Sequence, residues 1–213
     1  MRILFNDAIQ YSDAPDALKS PALSETASIA DSLAITLDKD REINCIGIGN
    51  TDGSHFTVNG ETLKFTENGL YLLKTQTVSQ LLIVTDATFI GRIAAGIATR
   101  IGTAVAKEPA FASTSAPRRT LSGQVVMGLG GYNYRTLSLD SRYRVDEKAM
   151  SEMAEGYPHI AKGYPFFIDL SDEAYKLPFS KLYAIDSNQQ QFGFEGGIRR
   201  FLYSRRWQFR ECF

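Results

Sequence analysis

The hydrophobic pattern of the first half of the chain has the period of a β-strand. Residues 55–58 and 61–65 alternate apolar with polar side chains, and Asn59-Gly60 stands between them. Asn-Gly is the pair best suited to the positive φ angles of a type I′ hairpin turn. Further short apolar runs, bounded by polar or turn-forming residues, lie at 42–48, 70–73 and 79–85. Short strands separated by turns in this way predict a sandwich or jelly roll.

The second half also has mainly β patterns, together with one helix. Strand patterns lie at 121–127, 134–144, 166–170, 181–185, 191–195 and 199–210. Asp146 is suited to cap a helix, Met153 lies on its apolar face, and Gly156 is suited to end it. We therefore predict a mainly β protein: a jelly-roll-like β-sandwich, then a second β-sandwich-like unit with one short α-helix near 146–155.

The composition changes in the middle of the chain and indicates a boundary between domains. Residues 104–119 contain Pro109, Pro117 and a run rich in Ser, Thr and Ala, without a periodic pattern. Such a composition is typical of an extended connector. We predict an N-terminal arm at 1–40, a jelly-roll-like domain at 41–103, the connector at 104–119 and a β-sandwich-like assembly domain at 120–213. The arm is expected to pack on the sandwich or on a neighbouring subunit.

Composition and charge narrow the classes of function. The 213 residues, 44% hydrophobic and 22% charged, are typical of a globular protein. The 23 basic and 24 acidic residues nearly cancel, which excludes a whole-chain basic field for nucleic acid. The balance is uneven, with 8 basic and 12 acidic groups in 1–106 (−4) and 15 and 12 in 107–213 (+3). No apolar run approaches the roughly 18 residues of a membrane span.

Few side chains suited to catalysis or metal binding are present. Cys45 and Cys212 lack metal-ligand spacing, which favours reduced thiols and leaves one disulfide open as an alternative. His55 and His159 lack the spacing of a metal pair and a neighbouring serine elbow, so surface or core roles are favoured. We predict no enzymatic activity, no catalytic residue, no metal and no cofactor.

The glycine-rich segment 47–53 invites comparison with a dinucleotide-binding fingerprint. Its third glycine is one position late, and Phe56 and Val58 continue a strand where a helix should begin. We therefore predict a β-turn here.

Acidic residues that precede this turn could be calcium ligands. Asp38, Asp40 and Glu42 alternate, and Asn50 and Asp52 could join them, but the spacing of an EF-hand is absent. A solvated strand edge is favoured, with a single structural calcium as the alternative.

The C-terminal strand pattern separates aromatic from cationic side chains. Alternate residues of 199–210 point to opposite faces, and one face is largely aromatic while the other is largely cationic. Arginine interleaved with aromatics is compatible with nucleic acid, but Arg and Trp are also preferred anchors of protein interfaces. The balanced overall charge favours an interface. We predict that it comprises Arg199, Arg200, Phe201, Tyr203, Arg205, Arg206, Trp207 and Phe209.

Tyrosines on a β-sandwich supply an alternative function. Aromatic side chains of such folds can stack on sugar rings, although core packing is their commoner use. The alternative is a carbohydrate-binding module that recognises a host surface glycan through Tyr71, Tyr132 and Tyr134.

Several segments of the chain resemble virion structural proteins of tailed bacteriophages. Residues 46–50, 79–84 and 88–96 look like the jelly-roll domain of minor tail proteins. The second half, with a strand entry at 163–167 and an aromatic terminal strand, is similar to the ring-forming sandwich of distal-tail proteins. The resemblance covers roughly residues 40–213.

The resemblance implies a structural role in the virion. A chain of this kind is made in the cytoplasm of the host bacterium and assembles in the tail tip, distal tail or baseplate, where it joins the tube to hub or fibre proteins. Its expected partners are copies of itself, in a ring or other homo-oligomer, and other tail proteins. Nucleic acid is not expected as a partner, and no membrane span is expected.

Overall fold

The computed structural model describes most of the chain. The described residues are 1–100, 104–113, 117–119, 125–127, 133–145, 147–171, 180–187, 194–197 and 200–212. Within 104–150 and 194–206 the description is largely of the backbone.

Strands make up most of the described chain, and helices are few. The helical elements are a 3-10 helix at Ala8–Tyr11, α1 (Asp16–Lys19) and α2 (Glu147–Ala161). The strands of the first half are β1 (Arg2–Leu4), β2 (Ala27–Ser28), β3 (Ser32–Thr51), β4 (His55–Val58), β5 (Glu61–Lys64), β6 (Gly69–Thr85), β7 (Phe89–Gly96) and β8 (Ala98–Arg100). Those of the second half are β9 (Ala104–Ser113), β10 (Pro117–Arg119), β11 (Val125–Met127), β12 (Asn133–Val145), β13 (Phe166–Asp169), β14 (Lys181–Asp186), β15 (Phe194–Gly197) and β16 (Arg200–Glu211).

These strands form two large antiparallel sheets. The six-stranded sheet has the order β2-β7-β3-β6-β4-β5. The eight-stranded sheet has the order β8-β1-β13-β14-β16-β12-β9, and β15 pairs with β16. A small third sheet joins β10 to β11. The protein is mainly β and has the character of a sandwich, as the sequence pattern predicts.

The eight-stranded sheet is covered on both faces at its centre. Phe166 and Ile168 of β13 lie in a core that also contains Met153 and Ile160 of α2. Phe167, between them, lies in a second core together with Leu70 of the six-stranded sheet. Successive residues of a strand point to opposite faces, so the apolar residues Phe166, Phe167 and Ile168 of β13 meet a layer on each side in turn. The order of layers is therefore α2, the eight-stranded sheet and the six-stranded sheet.

Glycines allow the two sheets to approach each other closely. A Cβ atom on Gly47 of β3 would lie 2.2 Å from Cδ2 of Phe167, and one on Gly69 of β6 would lie 2.3 Å from Cβ of Lys181. The Phe167 ring lies 4.5 Å from the Tyr183 ring, measured between centroids. The glycines are therefore needed for packing between sheets.

The prediction of a β-turn at 47–53 is wrong for its first part, because β3 extends to Thr51.

The six-stranded sheet shares a further core with the N-terminal helices, which contribute Ile9 and Leu18. Ile35 and Ile46 of β3, Phe56 of β4 and Ile83 of β6 are fully buried in it. The edge strand β5 comes back toward β6, where the backbone N–H of Lys74 donates to Glu61 Oε2 at 2.8 Å. Asn59 and Gly60 have φ angles of 48° and 86°, which confirms the predicted hairpin turn between β4 and β5.

The order of strands crosses the predicted domain boundaries. β1 lies in the eight-stranded sheet, between β8 and β13, and so joins the start of the chain to its second half. The predicted boundary at 40/41 falls inside β3, where the register against β6 shifts between Thr36 and Arg41. The polar residues there lie within β3, at this shift in register. Residues 104–113, predicted as connector, form β9, which pairs along β12.

The helix is longer than predicted because Gly156 does not end it. α2 continues to Ala161, and the buried Gly156 lies against the backbone of Phe5. A Cβ atom on Gly156 would lie 2.1 Å from the carbonyl oxygen of Phe5. The glycine therefore serves close packing between the helix and the N-terminal strand.

Replacing Gly156 by Ala is expected to destabilise the protein by about 2 kcal/mol, because the added methyl group has no space. Helix propensity alone predicts the opposite, a gain of about 1 kcal/mol. Ala154 is exposed on the same helix, and the control Ala154→Gly is expected to cost about 1 kcal/mol from propensity alone. Urea denaturation of both variants measures these changes. A Gly156→Ala protein more stable than the parent would contradict the packing argument.

A charged network joins the two large sheets at one end. Arg135 of β12 contacts Glu211 of β16 at 2.6 Å and Glu67, in the β5–β6 turn, at 2.7 Å. Glu67 also accepts hydrogen bonds from the backbone and hydroxyl of Ser180. Burial opposes the ionisation of Glu67, but the hydrogen bonds from Arg135 and Ser180 outweigh it and hold its pKa below the ordinary value.

The lowered pKa makes the contribution of Glu67 dependent on pH. It is complete above the ordinary glutamate pKa of 4.5 and is lost as the pH falls through the lower pKa of the folded state. At pH 7 we expect Glu67→Gln to lower the free energy of unfolding by about 2 kcal/mol. The difference from the parent should shrink steadily below pH 4.5. Glu25→Gln, at an exposed position, is the control, and a Glu67→Gln deficit independent of pH would reject the assignment.

Candidate functional site

A cleft opens where residues 4–11, here called the N-terminal segment, meet β7 and the end of α2. Its volume is about 370 Å³, which lies within the range of small-ligand sites. Its buried apolar lining includes Leu4, Ala94, Ile160, Phe166 and Phe167. The lining also includes a polar wall and two tyrosines. The polar residues are Asn6, Asp7, Gln10, Lys19 and Arg92, and the tyrosines are Tyr11 and Tyr164.

An ion pair fixes the polar wall. Arg92 of β7 lies 2.6 Å from Asp7, measured between Nη2 and Oδ2. Arg92 Nη1 also donates to the carbonyl oxygen of Lys19, at the end of α1. Asp7 Oδ1 accepts the backbone N–H groups of Ile9 and Ala95 at 3.0 and 3.1 Å. Buried charges require such partners, and the pair thereby fastens the N-terminal segment to β7.

The remaining polar groups of the wall keep part of their hydrogen-bonding capacity. Lys19 Nζ donates to the carbonyl oxygen of Ser12 at 2.8 Å, and no carboxylate pairs with it among the described residues. Asn6 donates through Nδ2 to Glu155, and Gln10 donates through Nε2 to Asp7 and to Lys19. Each amide uses its donor there and retains its carbonyl oxygen as an acceptor.

Among the aromatic side chains that line the cleft, the two tyrosines are the most exposed. Tyr11 is 52% exposed and Tyr164 is 51% exposed, whereas the phenylalanines beside them are buried. Tyr11 also receives the Arg41 guanidinium, 5.6 Å from its ring centroid. Aromatic surface left open beside polar groups is suited to a ligand with both apolar and polar faces.

Serine, histidine and aspartate side chains meet at a second position, on two turns of the six-stranded sheet. Ser54 Oγ lies 2.8 Å from His55 Nδ1 and donates to Asp86 at 2.7 Å, while Asp86 lies 3.5 Å from the same ring nitrogen. A catalytic triad places the acid and the nucleophile on opposite ring nitrogens. Here both contact Nδ1, and the hydrogen bonds from His55 and Ser54 hold the pKa of Asp86 well below its usual range. The cluster fastens one turn to the other.

The C-terminal side chains that the structure describes belong to the core. Trp207 is fully buried and Phe209 is 2% exposed, with their ring centroids 5.5 Å apart in the core under α2. Their placement on one face agrees with the predicted alternation. That face meets α2, so the assignment of these two residues to an interface is corrected. Arg199 lies outside the described residues, and for the other predicted interface residues the structure describes only the backbone, in β16: Arg200, Phe201, Tyr203, Arg205 and Arg206.

The tyrosines predicted to bind a glycan do not come together. Tyr71 is 6% exposed, and its hydroxyl donates to the carbonyl oxygen of Glu67, which leaves no open ring face for a sugar. It therefore stabilises the β5–β6 turn, which is a correction to its predicted role. Tyr134 is partly buried and lies under the Arg210 guanidinium at 4.6 Å. Tyr132 lies outside the described residues.

Two of the acidic residues considered for calcium have other partners. Asp38 forms a bidentate contact with Arg41, and Asp52 accepts hydrogen bonds from Thr88 and Phe89. No group of three or more His, Cys, Asp or Glu side chains suited to a metal is found in the part of the chain that the structure describes. Cys45 and Cys212 are both free thiols.

Comparison with protein-family models, with curated proteins and with solved structures finds no match for the chain. Among the described residues, no helix is long and apolar enough to cross a membrane.

Sequence patterns gave no indication of the cleft. Tyr164 stands in a predicted strand entry, Tyr11 and Lys19 in the predicted arm, and Arg92 in a strand. Nothing in their local spacing links them, because the cleft forms only when β1 inserts beside β13.

Burial of Trp207 predicts a loss of stability and not a specific loss of assembly. Trp207→Ala is expected to lower the free energy of unfolding by about 4 kcal/mol, because it leaves a large cavity under α2. The neighbouring Gln208 is exposed, and Gln208→Ala is expected to cost less than about 0.5 kcal/mol. Denaturant unfolding of the two variants measures the contrast. A fully stable Trp207→Ala protein would contradict the core assignment.

Proposed function

We propose that this chain is a non-enzymatic structural subunit of a bacteriophage tail that assembles as a homo-oligomer. Its place would be the tail tip, the distal tail or the baseplate, where it would join tube proteins to hub or fibre proteins. The segments that carry the family resemblance, 46–50, 79–84 and 88–96, lie in β3, β6 and β7. These three strands are neighbours in the order β7-β3-β6, so the resemblance concerns one continuous surface.

The observation that carries the proposal is an exposed apolar patch on the six-stranded sheet. Leu82 and Val84 of β6 are 48% and 46% exposed. Ala34 is paired with Leu82, and Thr57 is paired with Val84, so the four side chains lie on one face of three adjacent strands. We name Ala34, Thr57, Leu82 and Val84 the outer patch. Exposed aliphatic side chains grouped in this way are typical of interaction surfaces.

The chemistry of the outer patch favours a second copy of the chain as its partner. The patch carries no charge, so a strongly charged partner would gain nothing from it. The eight-stranded sheet already covers Leu70, elsewhere on β6, which shows that a face of this sheet can pack against another sheet. Every additional copy supplies a sheet of the same kind, and closed rings are built from repeated contacts of this type.

Charge introduced into the outer patch is expected to dissociate the oligomer. The double substitution Leu82→Glu and Val84→Glu should weaken association by about 2 kcal/mol or more, because each carboxylate would be buried without a partner. Sedimentation or light scattering over a concentration series measures the effect. Leu72→Glu is the matched control, since Leu72 is 40% exposed on the same strand but outside the patch. A parent protein that is monomeric at all concentrations would reject the homo-oligomer.

The proposed location is tested separately in virions. Mass spectrometry of purified particles should detect the chain, and antibody labelling in electron micrographs should place it at the tail. A chain absent from purified particles would reject the virion role.

A further inference from the structure

The cleft between the N-terminal segment and the end of α2 has the composition of a sugar-binding site. Tyr11 and Tyr164, about half-exposed, supply open aromatic surface. A sugar ring has an apolar face of C–H groups, which packs favourably on the electron-rich face of an aromatic ring. The carbonyl oxygens of Asn6 and Gln10 supply acceptors for hydroxyl groups. The cleft therefore offers both kinds of contact that a saccharide requires.

The charges of the cleft distinguish among saccharides. Arg92 and Asp7 neutralise each other at 2.6 Å. Lys19 remains as a cation whose one hydrogen bond, to the carbonyl oxygen of Ser12, leaves two N–H groups available. A neutral sugar would leave this cation unpaired, whereas a carboxylate would form a charge-assisted hydrogen bond with it.

We propose that the cleft binds an acidic saccharide, a uronate or sialate unit at the end or along the chain of a glycan. Lys19 receives the carboxylate, Tyr11 and Tyr164 pack on the ring, and the amides of Asn6 and Gln10 accept hydroxyl protons. The volume of about 370 Å³ suits one or two sugar units. This site differs from the predicted glycan site, because none of Tyr71, Tyr132 and Tyr134 lines the cleft.

The ion pair explains why the site is formed before a ligand binds. Arg92 is 7% exposed and ties the end of α1 and the N-terminal segment to β7, so Lys19 and Tyr11 are attached to a fixed wall. A preformed site avoids the entropic cost of ordering its side chains when the ligand binds. The proposal goes beyond the structural role above, since no residue of the cleft belongs to the outer patch.

Titration of the full chain with methyl glycosides of glucuronate, N-acetylneuraminate and glucose tests the proposal, with chemical-shift changes or calorimetry as the readout. We expect saturable binding of at least one acidic sugar and at least about tenfold weaker binding of the neutral one, the equivalent of one lost charge-assisted contact. Lys19→Gln should remove that preference. Tyr164→Ala and Tyr11→Ala should each weaken acidic-sugar binding by about tenfold.

Lys74→Gln is the matched control, because Lys74 is an exposed lysine on β6 away from the cleft, and it should bind as the parent does. Should Lys19→Gln not fold, Tyr11→Ala, at a half-exposed position, decides alone. Absence of saturable binding of both acidic sugars, equal binding of the neutral sugar, or binding unchanged in the tyrosine variants would each overturn the proposal. The Leu82→Glu and Val84→Glu protein should keep its sugar binding, and the cleft variants should keep the oligomeric state, so failure of one proposal is distinguishable from failure of the other.

Discussion

The contact between the Phe167 ring and the backbone of Gly47 fixes the arrangement of the two large sheets. The ring occupies the space that a side chain at position 47 of β3 would need, and it also packs against Tyr183. β13 is thereby held against the six-stranded sheet on one face while Phe166 and Ile168 meet α2 on the other. Because interiors are close-packed, a side chain at Gly47 could be accommodated only by moving a whole layer.

The N-terminal strand depends on this arrangement and completes it. β1 fills the position between β8 and β13, with Ile3 fully buried. Arg2 pairs with the buried Asp169 of β13 at 3.0 Å. Phe5 is the residue after β1, and helix α2 approaches it so closely that only glycine fits at position 156. The first residues of the chain thus contact both the helix and the second half, which makes one packed body of units that the sequence separates.

The two surfaces to which we assign functions follow from the same geometry. The eight-stranded sheet covers only part of one face of the six-stranded sheet, and Leu82 and Val84 lie where that cover is missing. At the other position, the loop after α2 carries Tyr164 past the N-terminal segment and leaves a cleft between them. The outer patch carries no charge, in keeping with the proposed second copy, and the cleft holds Lys19, which pairs with no carboxylate among the described residues, in keeping with the proposed acidic ligand. The proposed assembly and the proposed ligand binding would therefore use separate surfaces.

The sequence by itself determined the elements whose cause is local. Alternation with period two identified β16, short apolar runs identified β13 and β14, and Asn59-Gly60 identified the β4–β5 turn, because a turn or a strand is specified by neighbouring residues. Only the tertiary structure decided what each face meets. The aromatic face of β16 meets α2, so Trp207 belongs to the core. Gly156 packs against the backbone of Phe5, so the helix continues beyond this glycine. Folding also brings Tyr11, Lys19, Arg92 and Tyr164 together around one cleft. A repeating pattern shows that a face is buried, but the partner of that face comes from residues far away in the chain, and packing alone brings them together.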